Sequence, residues 1–225
     1  MRGYAICGER RSGSNFLCSL LASTGVLGVP TEYFTVEAMR IRGIADYPVD
    51  PEGQLQSILR LGATPNGIYG LKLHSVEFDA VKGTRWAERL PSLSFIHLDR
   101  LDLLGQAISW VRASQTDQWT SFLSPEGKPA YDRDRIGNAM LRILNGQARW
   151  RYYLARNGLQ VLHITYEGVV RAPQEAVDAV ARLMGLKEMP RIDPGKVRFE
   201  QQRDGLSDEW RKRFLAESRD LSAFH

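Results

Sequence analysis

A short polar segment near the start of the chain carries the residue types that bind tetrahedral anions. It reads Arg10-Arg11-Ser12-Gly13-Ser14-Asn15 and follows the apolar run Tyr4-Ala5-Ile6-Cys7. Two guanidinium groups, two hydroxyls and the main-chain N–H groups of a following helix can donate hydrogen bonds to phosphate or sulfate oxygens. Gly13 permits close approach of the main chain to such an anion. The segment predicts a phosphate or sulfate site; the alternative is a tight turn with capping serines and surface arginines.

The segment differs from the common nucleotide-binding loops. It matches neither Gly-x4-Gly-Lys-Ser/Thr nor Gly-x-Gly-x-x-Gly, and no lysine follows Gly13. Arg11 would replace that lysine as the local cation, because a guanidinium can contact a tetrahedral oxyanion through two nitrogen atoms. A metal-dependent nucleotide kinase or phosphotransferase needs the lysine and an acidic metal ligand on a strand, so it is the weaker alternative.

A second group of anion donors follows a later apolar run. Arg100 stands at the carboxyl end of the predicted strand 94–98, and Ser109 lies two turns inside the next predicted helix. An arginine and a serine on either side of a strand-to-helix turn can bind a second phosphate group. The alternative is an ion pair between Arg100 and a neighbouring aspartate, with Ser109 packed inside the protein.

Apolar runs alternate with helical patterns along the chain, and this order predicts the fold. We predict strands over 4–7, 67–73, 94–98 and 160–164, and helices over 15–22, 55–61, 103–114, 133–156, 173–185 and 208–218. Asp102 and Ser207 are the expected N-caps of two of these helices. Such alternation predicts an α/β fold with a mostly parallel sheet flanked by helices, with ligands at the carboxyl ends of the strands. We predict a single domain over residues 1–225, with His97 and His163 in its core.

Composition narrows the class of protein. Thirty Lys and Arg oppose 26 Asp and Glu, and this surplus of +4 is too small to indicate a nucleic-acid-binding surface. Cys7 and Cys18 lie in apolar patterns, which predicts buried thiols without a disulfide or zinc framework. We find neither a signal peptide nor an apolar run close to the roughly 20 residues of a membrane span. We therefore expect a cytoplasmic protein with no membrane span, no nucleic-acid partner and no metal.

Taken in order, these segments resemble the bacterial trehalose 2-sulfotransferase family, whose members use 3′-phosphoadenosine 5′-phosphosulfate (PAPS) as sulfuryl donor. The resemblance spans nearly the whole chain. It rests on residues 11–14, 28–34, 64–73, 97–102, 106–109, 200–204 and 207–210. It implies an enzyme with a P-loop-like sulfotransferase fold, a small-molecule or glycan acceptor, and a homodimer.

The resemblance also implies roles for individual residues. The 5′-phosphosulfate would be held by Arg10, Arg11, Ser12, Gly13, Ser14 and Asn15, and the 3′-phosphate by Arg100 and Ser109, while Gln202, Arg203 and Ser207 would close over the adenosine. Two positions depart from the family pattern. Asn15 stands where the family usually has threonine, and Val29 stands where the trehalose enzyme has an acidic substrate contact. The acceptor therefore stays open between a sugar, a glycolipid and a secondary metabolite.

Glu32 falls on the family's catalytic carboxylate and would act as general base toward the acceptor hydroxyl. Burial beside Tyr33 and Phe34 would raise its pKa and favour that role. Arg11, aided by Lys72, would stabilise the charge on the transferring group and the departing phosphate. Glu32 could instead be a helix cap or a surface charge, and Lys72 could be an edge-strand lysine that reaches solvent. A non-catalytic nucleotide binder is the remaining functional alternative.

Overall fold

A four-stranded sheet forms the centre of the first of two compact units. The computed structural model describes residues 1–119, 127–197 and 205–218. The described residues within 1–101 and 145–199 form the first unit, and those within 102–144 and 200–225 form the second. The strands of the sheet all belong to the first unit. They are β1 (Arg2–Gly8), β2 (Ile68–His74), β3 (Leu93–Asp99) and β4 (Val161–Thr165).

The strands lie in the order β2-β1-β3-β4, and every neighbouring pair is parallel. In this register Ile6 of β1 pairs with Lys72 of β2, and Gly8 pairs with His74. Because the pairing is parallel, the carboxyl ends of the four strands lie at one edge of the sheet. The predicted fold class, a mostly parallel sheet flanked by helices, is confirmed.

Helices connect the strands and flank the sheet. They are α1 (Ser14–Ser23), α2 (Val36–Ile41), α3 (Pro51–Leu61), α4 (Ser75–Val81), α5 (Trp86–Arg89), α6 (Leu103–Thr116), α7 (Arg133–Arg156), α8 (Tyr166–Arg171), α9 (Pro173–Leu183) and α10 (Gly205–Glu217). Of these, α6 and α10 belong to the second unit, and α7 contributes residues to both. No helix in the described part of the chain is long and apolar enough to cross a bilayer.

Successive residues of β1 point to opposite faces of the sheet, and both faces are buried. Tyr4 and Ile6 pack in one apolar cluster with α1 and α9, whereas Ala5 and Cys7 pack in another with α3 and α7. Burial on both faces explains why the strands read as continuous apolar runs in the sequence. In the second unit, residues of α6 and α7 pack around Trp210 of α10.

The predicted strands and longer helices are confirmed, and both cysteines are buried. The sequence does not predict α4, α5 and α8, because helices of four to seven residues are too short to show helical periodicity. The prediction of Ser207 as an N-cap is wrong, since α10 begins at Gly205. The Ser207 hydroxyl instead accepts a hydrogen bond from Nη1 of Arg112 at 2.5 Å.

The prediction of two core histidines is correct only for His97. His97 is buried, whereas His163 is exposed because β4 is an edge strand of the sheet. The prediction that residues 1–225 form one domain stays a prediction.

Trp150 of α7 joins the core to the end of β1. It is buried, packs edge-on against Phe78, and donates a hydrogen bond from Nε1 to the carbonyl oxygen of Gly8 at 3.2 Å. We predict that Trp150→Phe lowers the free energy of unfolding by about 1–3 kcal/mol, because a buried carbonyl loses its donor. Urea denaturation measures this change. Tyr152→Phe, at an exposed position of the same helix, should change it by less than about 0.5 kcal/mol. Equal stability of Trp150→Phe and the wild type would contradict the role of this bond.

Candidate active site

The loop between β1 and α1 has a left-handed main chain at two positions. Arg11 has φ +63° and Gly13 has φ +84°. A Cβ atom on Gly13 would lie 2.2 Å from Cδ2 of Tyr166, so both the conformation and the space require glycine. Ser12 is buried, and its Oγ has no hydrogen-bond partner among the described residues. Left-handed residues ahead of a helix amino end are typical of the concave N–H sites that bind anions.

Arg100 contacts this loop from the end of β3. Its Nη1 donates a hydrogen bond to the carbonyl oxygen of Arg11 at 3.2 Å, and its guanidinium lies 4.7 Å from the centre of the Tyr166 ring. The two arginines that the sequence assigns to separate anion sites therefore lie together at the carboxyl edge of the sheet. Ser109 lies half-buried on α6, in the second unit.

Lys72 of β2 is a buried lysine, with 3% of the residue exposed. Its Nζ lies 2.7 Å from Oε1 of Glu32 and 2.5 Å from Oδ1 of Asn15. The alternative interpretation of Lys72 as an edge lysine that reaches solvent is wrong, even though β2 lies at the edge of the sheet. The Lys72 ammonium therefore contacts both the start of α1 and the proposed base.

The segment before Glu32 is attached to the outer edge of β2. The main-chain N–H of Lys72 donates a hydrogen bond to the carbonyl oxygen of Thr31 at 2.9 Å. Gly28, with φ +74°, permits the close approach, because a Cβ atom there would lie 2.7 Å from the main-chain nitrogen of Gly70. Main-chain pairing therefore fixes the residue next to Glu32, and the Lys72 side chain fixes the carboxylate itself.

Glu32 is ionised at neutral pH. Burial by itself would raise its pKa, but the charges of Lys72, His74 and Arg10 outweigh burial and lower the pKa to about 2. The expectation of a raised pKa is wrong, because an ammonium nitrogen lies 2.7 Å from the carboxylate. Glu32 is available as a proton acceptor, although its basicity is low.

His74 and Glu77, which the sequence analysis does not single out, extend the cluster of Lys72 and Glu32. His74, at the end of β2, is 4% exposed, and its Nδ1 lies 3.6 Å from Oε1 of Glu32 and 3.3 Å from Oε2 of Glu77. Arg10 lies 3.1 Å from Oε1 of Glu77, so one of the predicted anion donors contacts a carboxylate. Strand alternation could have found His74, since it lies two residues after Lys72 and on the same face.

Glu9, the first residue after β1, is a third carboxyl group near this cluster. It is 4% exposed, and its Oε1 has no hydrogen-bond partner among the described residues. Burial raises its pKa to about 7, against the opposing influence of Ser75 and His74. A Cβ atom on Gly146 would lie 2.2 Å from its Cδ, so the carboxyl group packs directly on the main chain of α7.

The remaining predicted donor residues fall into three groups. Ser14 is buried at the first position of α1. Ser207 lies in the second unit and is held by Arg112. Gln202 and Arg203 lie outside the described residues.

The sequence model of the Stf0 sulphotransferase family matches residues 3–217. The chain belongs to this family. It is therefore a sulfotransferase, and the resemblance inferred from the sequence is confirmed.

Individual relatives agree with this assignment. The chain is 27% identical to the trehalose 2-sulfotransferase of Mycobacterium tuberculosis, over 97% of this chain and 96% of the relative. Two solved structures share the fold. The sulfotransferase domain of the curacin biosynthetic pathway has a TM-score of 0.54 at 14% identity, covering 96% of this chain and 97% of the other. A sulfotransferase of Alicyclobacillus acidocaldarius has a TM-score of 0.52 at 17% identity, covering 99% and 98%.

Gly13 and Gly25 form a matched pair for testing the loop of this Stf0 enzyme. Both have positive φ, but a Cβ atom on Gly25 would meet nothing within 4 Å. We predict that Gly13→Ala lowers sulfotransferase activity by about 10²-fold, because the clash with Tyr166 displaces the loop. Gly25→Ala should keep its activity and lose only about 1–2 kcal/mol of stability through backbone strain. Activity assays and urea denaturation of both variants measure these effects, and equal activities would contradict the requirement for glycine at position 13.

Proposed function

We propose that this chain transfers the sulfuryl group of PAPS to a hydroxyl group of a carbohydrate or glycolipid, with Glu32 as the general base. The family assignment supports sulfuryl transfer. The donor and the role of Glu32 are proposals that rest on the residues of the cluster, and the acceptor class is a proposal that rests on the relatives.

The observation that carries the proposal is the position of the Lys72 ammonium. It contacts Asn15 at the start of α1 and Glu32 in the loop that covers β2, at 2.5 Å and 2.7 Å. Asn15 directly follows the loop proposed to hold the donor sulfate, and Glu32 is the proposed base. A single cation that contacts both residues supports a mechanism in which the proton acceptor lies beside the sulfuryl group.

The loop after β1 fits a phosphosulfate group. Ser12 has a buried hydroxyl without a partner among the described residues, and Gly13 leaves no room for a side chain. Arg11 and Arg100, which contact each other at 3.2 Å, supply positive charge at the same edge. PAPS, when bound, supplies a sulfuryl group on a phosphate leaving group, and needs no metal for a polyphosphate tail.

Further donor contacts follow from the family resemblance and remain proposals. They comprise Arg10, Ser14, Asn15 and Lys72 near the 5′-phosphosulfate, Ser109 with Arg100 at the 3′-phosphate, and Gln202, Arg203 and Ser207 at the adenosine. A homodimer and a cytoplasmic location also remain proposals.

The names of the relatives support a sugar acceptor, because two trehalose 2-sulfotransferases align with nearly the whole chain. Val29 argues for an acceptor other than trehalose, because this apolar side chain is exposed and offers no hydrogen bond to a sugar. We therefore propose the wider class of carbohydrate and glycolipid hydroxyls.

In the proposed mechanism Glu32 accepts the proton of the acceptor hydroxyl as the oxygen attacks sulfur. Lys72 holds the carboxylate and keeps it ionised before the reaction. Arg11 stabilises the charge that develops on the transferring group and on the departing phosphate, an effect typically worth about 3–4 kcal/mol for one donor. The main-chain N–H groups at the start of α1 act in the same direction.

Ligand-induced stabilisation tests the donor. At about 100 times its Kd, a ligand adds about 2.7 kcal/mol to the stability of the folded state, which corresponds to a rise in Tm of roughly 5–10 °C for a chain of this size. We predict such a rise with 3′-phosphoadenosine 5′-phosphate (PAP), and smaller rises with ATP, ADP and NAD at the same concentration. A larger rise with ATP and Mg²⁺ than with PAP would favour a nucleotide kinase and contradict the proposal.

Substitution of the base tests the chemistry. We predict that Glu32→Gln lowers kcat by about 10²–10⁴-fold, because an amide cannot accept the proton, while its affinity for PAP stays near that of the wild type. Radiolabelled PAPS turnover and calorimetric titration with PAP measure the two quantities. Glu37→Gln, at an exposed position of α2, is the control and should leave both unchanged. Loss of PAP binding in Glu32→Gln would contradict the assigned role.

A further inference from the structure

A cavity in the second unit lies between α6 and α7. Its volume is about 290 Å³, close to the roughly 300 Å³ at which the size range of small-molecule sites begins. None of the residues assigned to the donor or to the proposed base lines it, and all of its lining residues belong to the second unit. Two of them are buried aliphatic residues. The polar and aromatic ones are Trp110, Ser114, Arg135, Asn138 and Arg142.

The charged groups that line this cavity are all positive. It contains two guanidinium groups, and no aspartate or glutamate lines it in the described part of the chain. Arg142 forms no ion pair with a described residue, whereas Nε of Arg135 lies 3.3 Å from Oδ2 of Asp132, which is outside the lining. Guanidinium groups bind the oxygens of sulfate and phosphate through paired N–H donors. The cavity is therefore suited to an anionic ligand.

Helix geometry puts the polar residues that α7 contributes on one side of the helix. Arg135, Asn138 and Arg142 are separated by three and then four residues, so the two arginines lie about two turns apart on one face. Arg133 lies nine residues from Arg142, which is about two and a half turns, and therefore faces the opposite side. One wall of the cavity thus presents two guanidinium groups with an amide between them.

The wall that α6 contributes carries an aromatic ring. Trp110 is half-buried and packs partly against the apolar cluster around Trp210. Its indole offers a flat apolar surface to a ligand ring, and its N–H can donate a hydrogen bond. Oγ of Ser114 donates to the carbonyl oxygen of Val111 at 2.8 Å and can still accept a bond from a ligand hydroxyl. The two walls together suit a hydroxylated ring that carries an anionic group.

We propose that this cavity binds a sulfated saccharide, with the sulfate on Arg135 and Arg142 and the sugar ring against Trp110. Asn138 and Ser114 bond to the ring hydroxyls, because an amide and a hydroxyl group both donate and accept. The choice of a sulfated sugar rests on the proposed function, since sulfuryl transfer to a carbohydrate produces such an ester. Nothing in the family match or in the names of the relatives assigns a ligand to this cavity.

Calorimetric titration of the full chain with glucose 6-sulfate tests the site, with PAP present in excess to occupy the donor site. We expect the wild type to bind glucose 6-sulfate about 10-fold or more tightly than glucose, inorganic sulfate or AMP. Arg142→Gln should weaken this binding by about 10- to 10²-fold, because the sulfate loses a charge-assisted hydrogen bond. Arg133→Gln removes the same charge from the opposite side of α7 and should change the affinity by less than about two-fold.

Arg135→Gln is the second cavity variant and should weaken binding as Arg142→Gln does. All three arginines are exposed, so their variants should keep the Tm and the PAPS turnover of the wild type. The inference is overturned if the wild type does not bind glucose 6-sulfate, if Arg142→Gln binds it as tightly as Arg133→Gln, or if inorganic sulfate or AMP binds as tightly. Failure of the proposed function has a different sign, full turnover by Glu32→Gln, and the titrations of the arginine variants still test the cavity.

Discussion

The burial of one ammonium group constrains the whole site. Moving a lysine ammonium out of water costs several kcal/mol unless oxygen atoms replace its hydration shell. Lys72 obtains these oxygens from Glu32, in the loop over β2, and from Asn15, at the start of α1. The cation is therefore fully paired only when both segments are in place. The position of the start of α1 and the position of the proposed base thus depend on the same interaction.

β2 serves as the support for this interaction, although it is an edge strand. Its side chains at alternate positions, Lys72 and His74, point toward Glu32 from one face. Its main chain holds the covering loop, because the N–H of Lys72 pairs with Thr31. Gly28 permits this contact, since a side chain there would separate the loop from the strand. A group attached to a strand in this way is held more precisely than one carried by a loop alone.

The parts of the fold and site that could be predicted from the sequence have local signatures. Apolar runs and turn residues identify the strands, and the cluster of anion donors at residues 10–15 identifies the loop. The burial of Lys72 has no such signature, because the sequence does not indicate that residues 28–32 cover the edge of β2. Strand alternation puts His74 on the same face of β2 as Lys72, but its approach to Glu32 depends on that covering segment. Glu32 was found only through family resemblance, and its pKa direction depends on a 2.7 Å contact that spacing in the sequence cannot reveal.

A base with a lowered pKa suits sulfuryl transfer better than it would suit proton abstraction from carbon. By analogy with phosphoryl transfer, the transition state is loose, and the leaving-group bond is largely broken before the attacking oxygen becomes acidic. Little basicity is then needed until late in the reaction, and the dominant requirement is fixed positive charge around the transferring group. In the proposed mechanism Lys72 and Arg11 meet that requirement, and the Lys72 ammonium lowers the basicity of Glu32. In the proposed mechanism a carboxylate so weakened serves mainly to hold the acceptor hydroxyl in line, because it cannot retain the proton strongly.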